Sequence, residues 1–238
     1  MSPFIFNPLK EYVKSFFHLF YPHICLHCGT EHLEQQQVLC TNCTNQLPYT
    51  DFFPMEENTI EKIFWGRTSI AAAGALLFFT KESIVQLLLF ELKYKQNKKA
   101  GILLGNLIGK ALSDSSRFDC VDLIIPIPIS KRKQQRRQFN QSQIICEGIV
   151  QCWKDKKIAN NLKKRRTGHT QTHKDRLQRS IQNHADFYLT AAHELANKNI
   201  LIVDDVITTG ATIESACTCL QAGEPKAIYL AAAAYTIT

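Results

Sequence analysis

Two aspartates, Asp204 and Asp205, close the apolar run in ILIVDDVITTGAT (Ile200 to Thr212), and a loop of hydroxyls with one glycine follows them. Neighbouring carboxylates can accept hydrogen bonds from two adjacent hydroxyls, the pattern that a ribose 2',3'-diol presents. Thr208, Thr209, Gly210, Ala211 and Thr212 then offer hydroxyls and backbone N–H groups where a helix begins, and the positive end of a helix dipole attracts phosphate. Gly210 lets the chain turn tightly and approach the anion. Acids for a diol, with an anion cradle beside them, describe a 5'-phosphorylated ribose. The plainer alternative is an aspartate cap and a threonine-rich turn that merely start a helix, for which one aspartate and one threonine would suffice.

A second constellation lies near the N-terminus. Cys25 and Cys28 form one C-x-x-C knuckle and Cys40 and Cys43 another, within a chain of nine cysteines. Two such knuckles can arrange four thiolates tetrahedrally around zinc, which stabilises a short segment with little core of its own. With all four positions filled by protein the site is structural. Disulfides and a redox C-x-x-C are the competing readings, the first disfavoured in a reducing compartment. His23, His27 and His32 lie nearby and are read as loop histidines outside the ligand set. Cys120, Cys146, Cys152, Cys217 and Cys219 stand in apolar surroundings and are expected in the core.

Basic residues form the third group. KRKQQRR, Lys131 to Arg137, holds five in seven, and seven more lie between Lys163 and Arg179. They could meet the negative charges of a polyphosphate in a cleft, follow a single-stranded nucleic acid, or form a solvated face. The formal net charge of +7 favours anionic partners without choosing among them.

These groups need elements to position them. KESIVQLLLFELKYKQNKKAGILLGNLIGKAL has apolar residues at helical spacing broken near Gln96 and Asn97, which predicts two helices. VDLIIPIPIS reads as a buried parallel strand running into a proline-rich loop, and a helix follows from about Asn140 to Trp153. A polar, basic region reaches about Ala185. Beyond it come a strand near Phe187, another over Ile200 to Val203, a helix from Thr212 to Gln221 and a strand from Ala227 to Ala232. Alternating strands and helices predict an α/β fold with a twisted parallel sheet flanked by helices. Ligands of such sheets bind past the carboxyl ends of strands, where Asp204 and Asp205 are expected.

Composition shifts after Pro48, dividing the chain into residues 1–48, an N-terminal helix with the cysteine ribbon, and 49–238, the α/β domain. The apolar N-terminus, MSPFIFNPLKEYVKSFFHLFYP, is interrupted by Lys10, Glu11 and Lys14 and reads as an amphipathic helix rather than an export signal. The apolar stretch Ile70 to Phe79 is shorter than the roughly 20 residues of a membrane-spanning helix. A cytoplasmic protein without membrane insertion is expected.

LIVDDVITTGAT resembles the phosphoribosyl pyrophosphate (PRPP) motif of type I phosphoribosyltransferases. More narrowly, FYPHICLHCG, LCTNC, ELKYKQNKKAGILLG, PIPISKRKQQRRQFNQS and TQTHKDRLQRSIQNHADF together resemble the competence-associated ComF family. That family joins a four-cysteine zinc ribbon to a type I phosphoribosyltransferase-like domain. The resemblance implies that Asp204 and Asp205 hold the ribose hydroxyls, and that Thr208, Thr209, Gly210, Ala211 and Thr212 hold the 5'-phosphate. It implies that Pro126, Ile127, Pro128, Ile129, Ser130 and Lys131 form the loop that meets pyrophosphate, with Arg132 at its end. The stretch from Lys163 to Asn183 takes the place of a flexible loop over PRPP. Lys164, Arg165 and Arg166 join Arg132 in stabilising the leaving group.

The cofactors implied are structural Zn2+ and Mg2+ carried with PRPP, and the reaction is transfer of ribose 5-phosphate to a nitrogenous acceptor. The alternative is a non-catalytic PRPP or single-stranded-DNA adaptor working with competence-machinery proteins in DNA uptake. Lys93 and Tyr94 are readable either as a hood over the acceptor or as surface residues. One departure stands out: Arg137-Gln138-Phe139-Asn140-Gln141 carries glutamine where the family reads glycine, which matters if that position needs a positive φ.

Overall fold

The computed structural model describes residues 23–31, 33, 37–165 and 186–237. The expected N-terminal amphipathic helix, His32, Arg166 and most of the arginine-rich stretch lie outside the described residues. The chain divides into two compact units, Met1–Gln46 and Leu47–Thr238. Pro48 already belongs to the larger one, its carbonyl accepting from Phe78 N at 2.9 Å.

In the smaller unit the first cysteine knuckle is closed by Gly29 N donating to Cys25 O at 3.0 Å, with Gly29 at φ +73°. The second knuckle opens α1 (Thr41–Asn45).

The larger unit is built on five parallel strands in the order β1-β7-β6-β2-β3: β1 Ala72–Phe79, β2 Leu123–Pro126, β3 Lys157–Ile158, β6 Asn199–Ile207 and β7 Ala227–Thr236. A short antiparallel ribbon pairs β4 (Leu162–Lys164) with β5 (Phe187–Leu189). Helices α2 (Thr59–Phe64), α3 (Ile84–Tyr94), α4 (Lys98–Ser113), α5 (Lys131–Arg137), α6 (Gln141–Cys152) and α7 (Ala211–Gln221) connect and cover these strands. The central strands are buried on both faces. Ile200 and Ile202 join one core with Ile125, Ile213 and Leu230, while Leu201 and Val203, outside that core, are equally buried.

Two helices expected around Gln96 and Asn97 are α3 and α4, and Gln96 makes the corner at φ +57°. Glycines on α4 let it lie against α6 almost backbone to backbone: a Cβ on Gly105 would stand 2.1 Å from Ile145 O, and one on Gly148 2.5 Å from Ile102 O. No larger residue fits between them.

Several elements differ from the sequence reading. Ile70 to Phe79, considered only as a short apolar run, contains the edge strand β1, whose small residues Ala72, Ala73 and Ala75 are buried beside β7. Strand β6 continues to Ile207, because β7 pairs with it that far, so the acidic pair sits within the strand. The proline loop ends at Ser130, which caps α5 by accepting from Lys133 N at 3.4 Å. Lys131 and Arg132 are therefore helical. Cys146 and Cys217 are buried as expected, but Cys120 and Cys152 are exposed near the edges of the fold and Cys219 is half-buried.

Candidate functional site

Strands β2 and β6 are neighbours, yet their connections leave in opposite directions, through α6 to β3 and through α7 to β7. A crevice opens between such strands at their carboxyl ends. Strand β2 pairs with β6 only as far as Pro126 opposite Val203, whereas β6 keeps its ladder to β7. Asp204 and Asp205 are the first residues past the point where β2 leaves.

The two carboxylates sit in different surroundings. Asp204 Oδ1 accepts from Ser142 Oγ of α6 at 3.2 Å and from Asp205 N at 2.8 Å. Burial, then the neighbouring Asp205 charge, pushes the Asp204 carboxyl up to about 7, against the opposing pull of the Asp205 N–H, Lys93 and Ser142. Asp205 pairs instead with Lys93 Nζ of α3 at 2.8 Å, and the two side chains are only 16% and 20% exposed. A protonatable acid thus lies beside an ion-paired one.

The hydroxyl loop is supported from beneath. Gly210 is buried at φ +77°, and a Cβ there would stand 2.8 Å from the Phe64 ring of α2. Arg67 donates to Thr209 O at 3.0 Å and to Ile63 O at 3.2 Å, and it pairs with Glu214 in the first turn of α7. That pairing offsets a carboxylate that would otherwise oppose an anion at this helix end. Thr208, Thr209, Ala211 and Thr212 are exposed around the turn. Loop and acidic pair are joined by two residues of β6, Val206 and Ile207, so the structure brings them together.

On the other side of the crevice, Ile127 is buried and its N donates to Val203 O at 2.9 Å, while Asn140 Nδ2 donates to Ile127 O at 2.9 Å. Pro128, Ile129 and Ser130 are half-buried, and Lys131 and Arg132 are exposed. Gln138 does occupy the left-handed region, at φ 67° and ψ −14°, so glutamine holds a conformation that glycine adopts without strain. Lys164 and Arg165 belong to the β4–β5 ribbon: Lys164 Nζ lies 3.8 Å from Asp186 and 4.9 Å from the centre of the Phe187 ring, and Arg165 lies 5.9 Å from the Tyr188 ring. Among the described residues no interaction joins them to the acidic pair. A cleft of about 390 Å³ between this ribbon, α5 and α6 is lined by Lys98, Lys131, Lys163 and Lys164 with Phe139 and Tyr188.

In the smaller unit the ligand atoms of Cys25, Cys28, Cys40 and Cys43 all lie within 4.8 Å of one another. Sulfurs at the vertices of a zinc tetrahedron with ligand distances of about 2.3 Å are spaced close to the 3.6 Å seen between Cys28 and Cys40. Burial pushes the Cys25 thiol up, but backbone N–H groups around it outweigh that effect and lower it. Burial raises Cys43, and hydrogen bonds with the other thiols raise it further. Such crowding of sulfurs suits a cation that lets all of them ionise. His27 Nδ1 lies 3.5 Å from Cys43 Sγ and His23 Nε2 2.6 Å from Gln37 O, and among the described residues the group that could hold a metal is the four sulfurs.

Sequence reasoning had not found three supports of the acidic pair and loop. Ser142 lay within the QFNQS motif but carried no signal of its own. The sequence reads Lys93 equally as a hood or a surface residue, and Arg67 has no motif around it.

The phosphoribosyl transferase domain model matches residues 158–237, which include β6, the hydroxyl loop and β7. Parallel sheet, switch-point acids and phosphate-type loop define a phosphoribosyltransferase-type domain. Competence protein F of Haemophilus influenzae is 28% identical over 197 residues, covering 79% of this chain and 74% of that one. Competence protein ComFC of Bacillus subtilis is 30% identical over 98 residues, covering 41% and 38%, and DNA utilization protein YhgH of Escherichia coli O157:H7 is 27% identical over 135 residues, covering 54% and 57%. The chain thus spans little more than half, or less, of the latter two proteins. With the four-cysteine cluster preceding that domain, the chain is similar to the competence proteins of the ComF family. Among the described residues no helix is long and apolar enough to cross a membrane.

Proposed function

We propose that the larger unit binds PRPP with magnesium and transfers its ribose 5-phosphate to a nitrogenous acceptor. The observation that carries this reading is the acidic pair, Asp204 and Asp205, at the carboxyl end of β6 within three residues of the open loop at the start of α7. The aspartates accept from the ribose hydroxyls, and Thr208 to Thr212 surround the 5'-phosphate. The pyrophosphate group is directed toward the Pro126–Lys131 segment on the adjacent strand. In the reaction the bond from C1 to pyrophosphate breaks, a bond from C1 to the acceptor nitrogen forms, and the nitrogen loses its proton.

Magnesium bound with PRPP would supply positive charge against the leaving group, and few protein ligands would be required to hold it. Arg132, Lys164, Arg165 and Arg166 are proposed to add positive charge there and to help exclude water. In the smaller unit Cys25, Cys28, Cys40 and Cys43 are proposed to hold structural zinc. We propose that the chain divides near Pro48 into a ribbon and a transferase-like domain, and that it acts in the cytoplasm.

Release of pyrophosphate by the purified protein, with PRPP, magnesium and a panel of bases and nucleosides, tests the chemistry. Calorimetry on the double variant Asp204→Asn, Asp205→Asn tests the site: the expected result is loss of PRPP binding with the fold intact. Unchanged affinity refutes the ribose assignment.

A second reading is favoured by the lysine-lined cleft. The basic segments carry few aromatics in sequence, but the fold brings Phe139 and Tyr188 to the same cleft as four lysines, the combination that single-stranded nucleic acid uses. An adaptor for single-stranded DNA that works with competence-machinery proteins would then bind PRPP without turning it over. Titration with single strands should show affinity falling steeply as salt rises, and a salt-independent response refutes this reading.

A further inference from the structure

We propose that Lys93 is a positioning residue of the ribose site: reaching in from the last turn of α3, it fixes the Asp205 carboxylate as a committed hydrogen-bond acceptor and leaves Asp204 as the adjustable member of the pair. The inference rests on the ribose reading given above.

Adjacent aspartates at the end of a strand repel one another, and without a cation nearby the pair relieves that repulsion by retaining a proton. Lys93 Nζ stands 2.8 Å from Asp205 Oδ2. Both side chains are largely shielded from solvent, so their attraction is screened far less than that of a surface pair. Asp204 is served by different partners, Ser142 Oγ and the Asp205 N–H. The charged groups acting on Asp204 are Asp205 from its own strand and Lys93 from α3, and α6 contributes the neutral hydroxyl of Ser142.

Anchoring of α3 does not account for the lysine. That helix is already held by Ile84, Val85, Leu88, Leu89 and Leu92, all buried. Its next two residues, Tyr94 and Lys95, are exposed, while Lys93 turns inward to the acids. The ammonium therefore acts on the state of the carboxylates. A ribose hydroxyl needs an acceptor that is ionised before it arrives, because a charged acceptor makes the stronger bond.

The test uses the full chain with Lys93→Met, which keeps the apolar stem and removes the charge, and Lys93→Arg, which restores it. Binding of PRPP with magnesium is measured by calorimetry from pH 6 to pH 9. For Lys93→Met we expect affinity about tenfold weaker at pH 7, with the midpoint of the pH profile displaced to higher pH by about one unit. Lys93→Arg should return both toward the wild type. Unchanged affinity and midpoint in Lys93→Met overturn the proposal. So does a uniform loss of affinity at every pH accompanied by a lower melting temperature, the outcome of a purely structural role. Failure of the wild-type protein to bind PRPP overturns the ribose reading itself and is recognised in the first titration, before any variant is compared.

Discussion

Replacing Gly210 by alanine separates the two demands that the hydroxyl loop makes on its backbone. At φ +77° a residue with a Cβ is strained, by about 1 to 2 kcal/mol. The added methyl would also meet Phe64 Cε1 at 2.8 Å, Phe64 Cζ at 2.9 Å and Ile63 Cγ2 at 3.1 Å. The Phe64 ring is buried and has little room to yield, and overpacking of this kind costs a further 1 to 3 kcal/mol or so. Gly66 provides the reference: its φ is +70° and nothing lies within 4 Å of the position a Cβ would take. Gly66→Ala thus carries strain alone and Gly210→Ala carries strain plus collision. At roughly 3 °C per kcal/mol for a domain of this size, we expect a melting temperature lowered by about 3 to 6 °C for Gly66→Ala and by about 6 to 15 °C for Gly210→Ala. In calorimetry Gly210→Ala should also weaken PRPP at least about tenfold, since relief of the collision displaces the amides proposed to face the phosphate. A Gly210→Ala protein as stable as Gly66→Ala, with wild-type PRPP affinity, refutes both the packing account and the role of the loop.

Because Asp204 retains its proton up to about pH 7 when folded and ionises near 3.8 when unfolded, the folded state holds more protons between those values, so its contribution to stability falls as pH rises through that window. Asp204→Asn should accordingly flatten the pH dependence of the melting temperature over this range. PRPP affinity should rise about tenfold for each pH unit approaching 7 from below, with that inflection absent in Asp204→Asn. Gln138→Gly relieves the left-handed strain of about 1 to 2 kcal/mol at the cost of about 0.5 to 1 kcal/mol of added chain entropy, so the melting temperature should rise by a few degrees; a fall refutes the strain. Atomic absorption should find one zinc per chain, and Cys25→Ser should lose it. Chelation should unfold the smaller unit while PRPP binding by the larger one persists, and a metal-free protein with unchanged circular dichroism refutes the zinc assignment.

The helices and central strands were legible because their apolar periodicities are local, and the acidic pair and hydroxyl loop because one short string contains both. The exact extent of β6 was not, since Val206 and Ile207 are held in strand form by pairing with Ala234 and Tyr235, a partner distant in sequence. Ala72 to Phe79 read poorly for a similar reason: its small residues make sense only beside the alanines of β7. KRKQQRR could be taken for a loop because its seven residues have no apolar face, and only the Ser130 cap begins the helix. Within the site, Asp204 and Asp205 announced themselves, but their surroundings did not. Ser142 and Lys93 reach them from two helices and Arg67 reaches the loop from the turn after α2, and a serine, a lysine or an arginine looks the same in sequence wherever it points.

The glycine contact between α4 and α6 has a consequence for how the crevice can respond to a ligand. Main chains touching without intervening side chains leave no slack to be taken up by a change of rotamer, so the wall bearing Asn140 and Ser142 is stiff. Opposite it, the threonine turn is held by Arg67 at Thr209 O and rests through Gly210 on the Phe64 ring. A ligand entering this crevice is gauged between two surfaces that yield little, and discrimination by size follows from both.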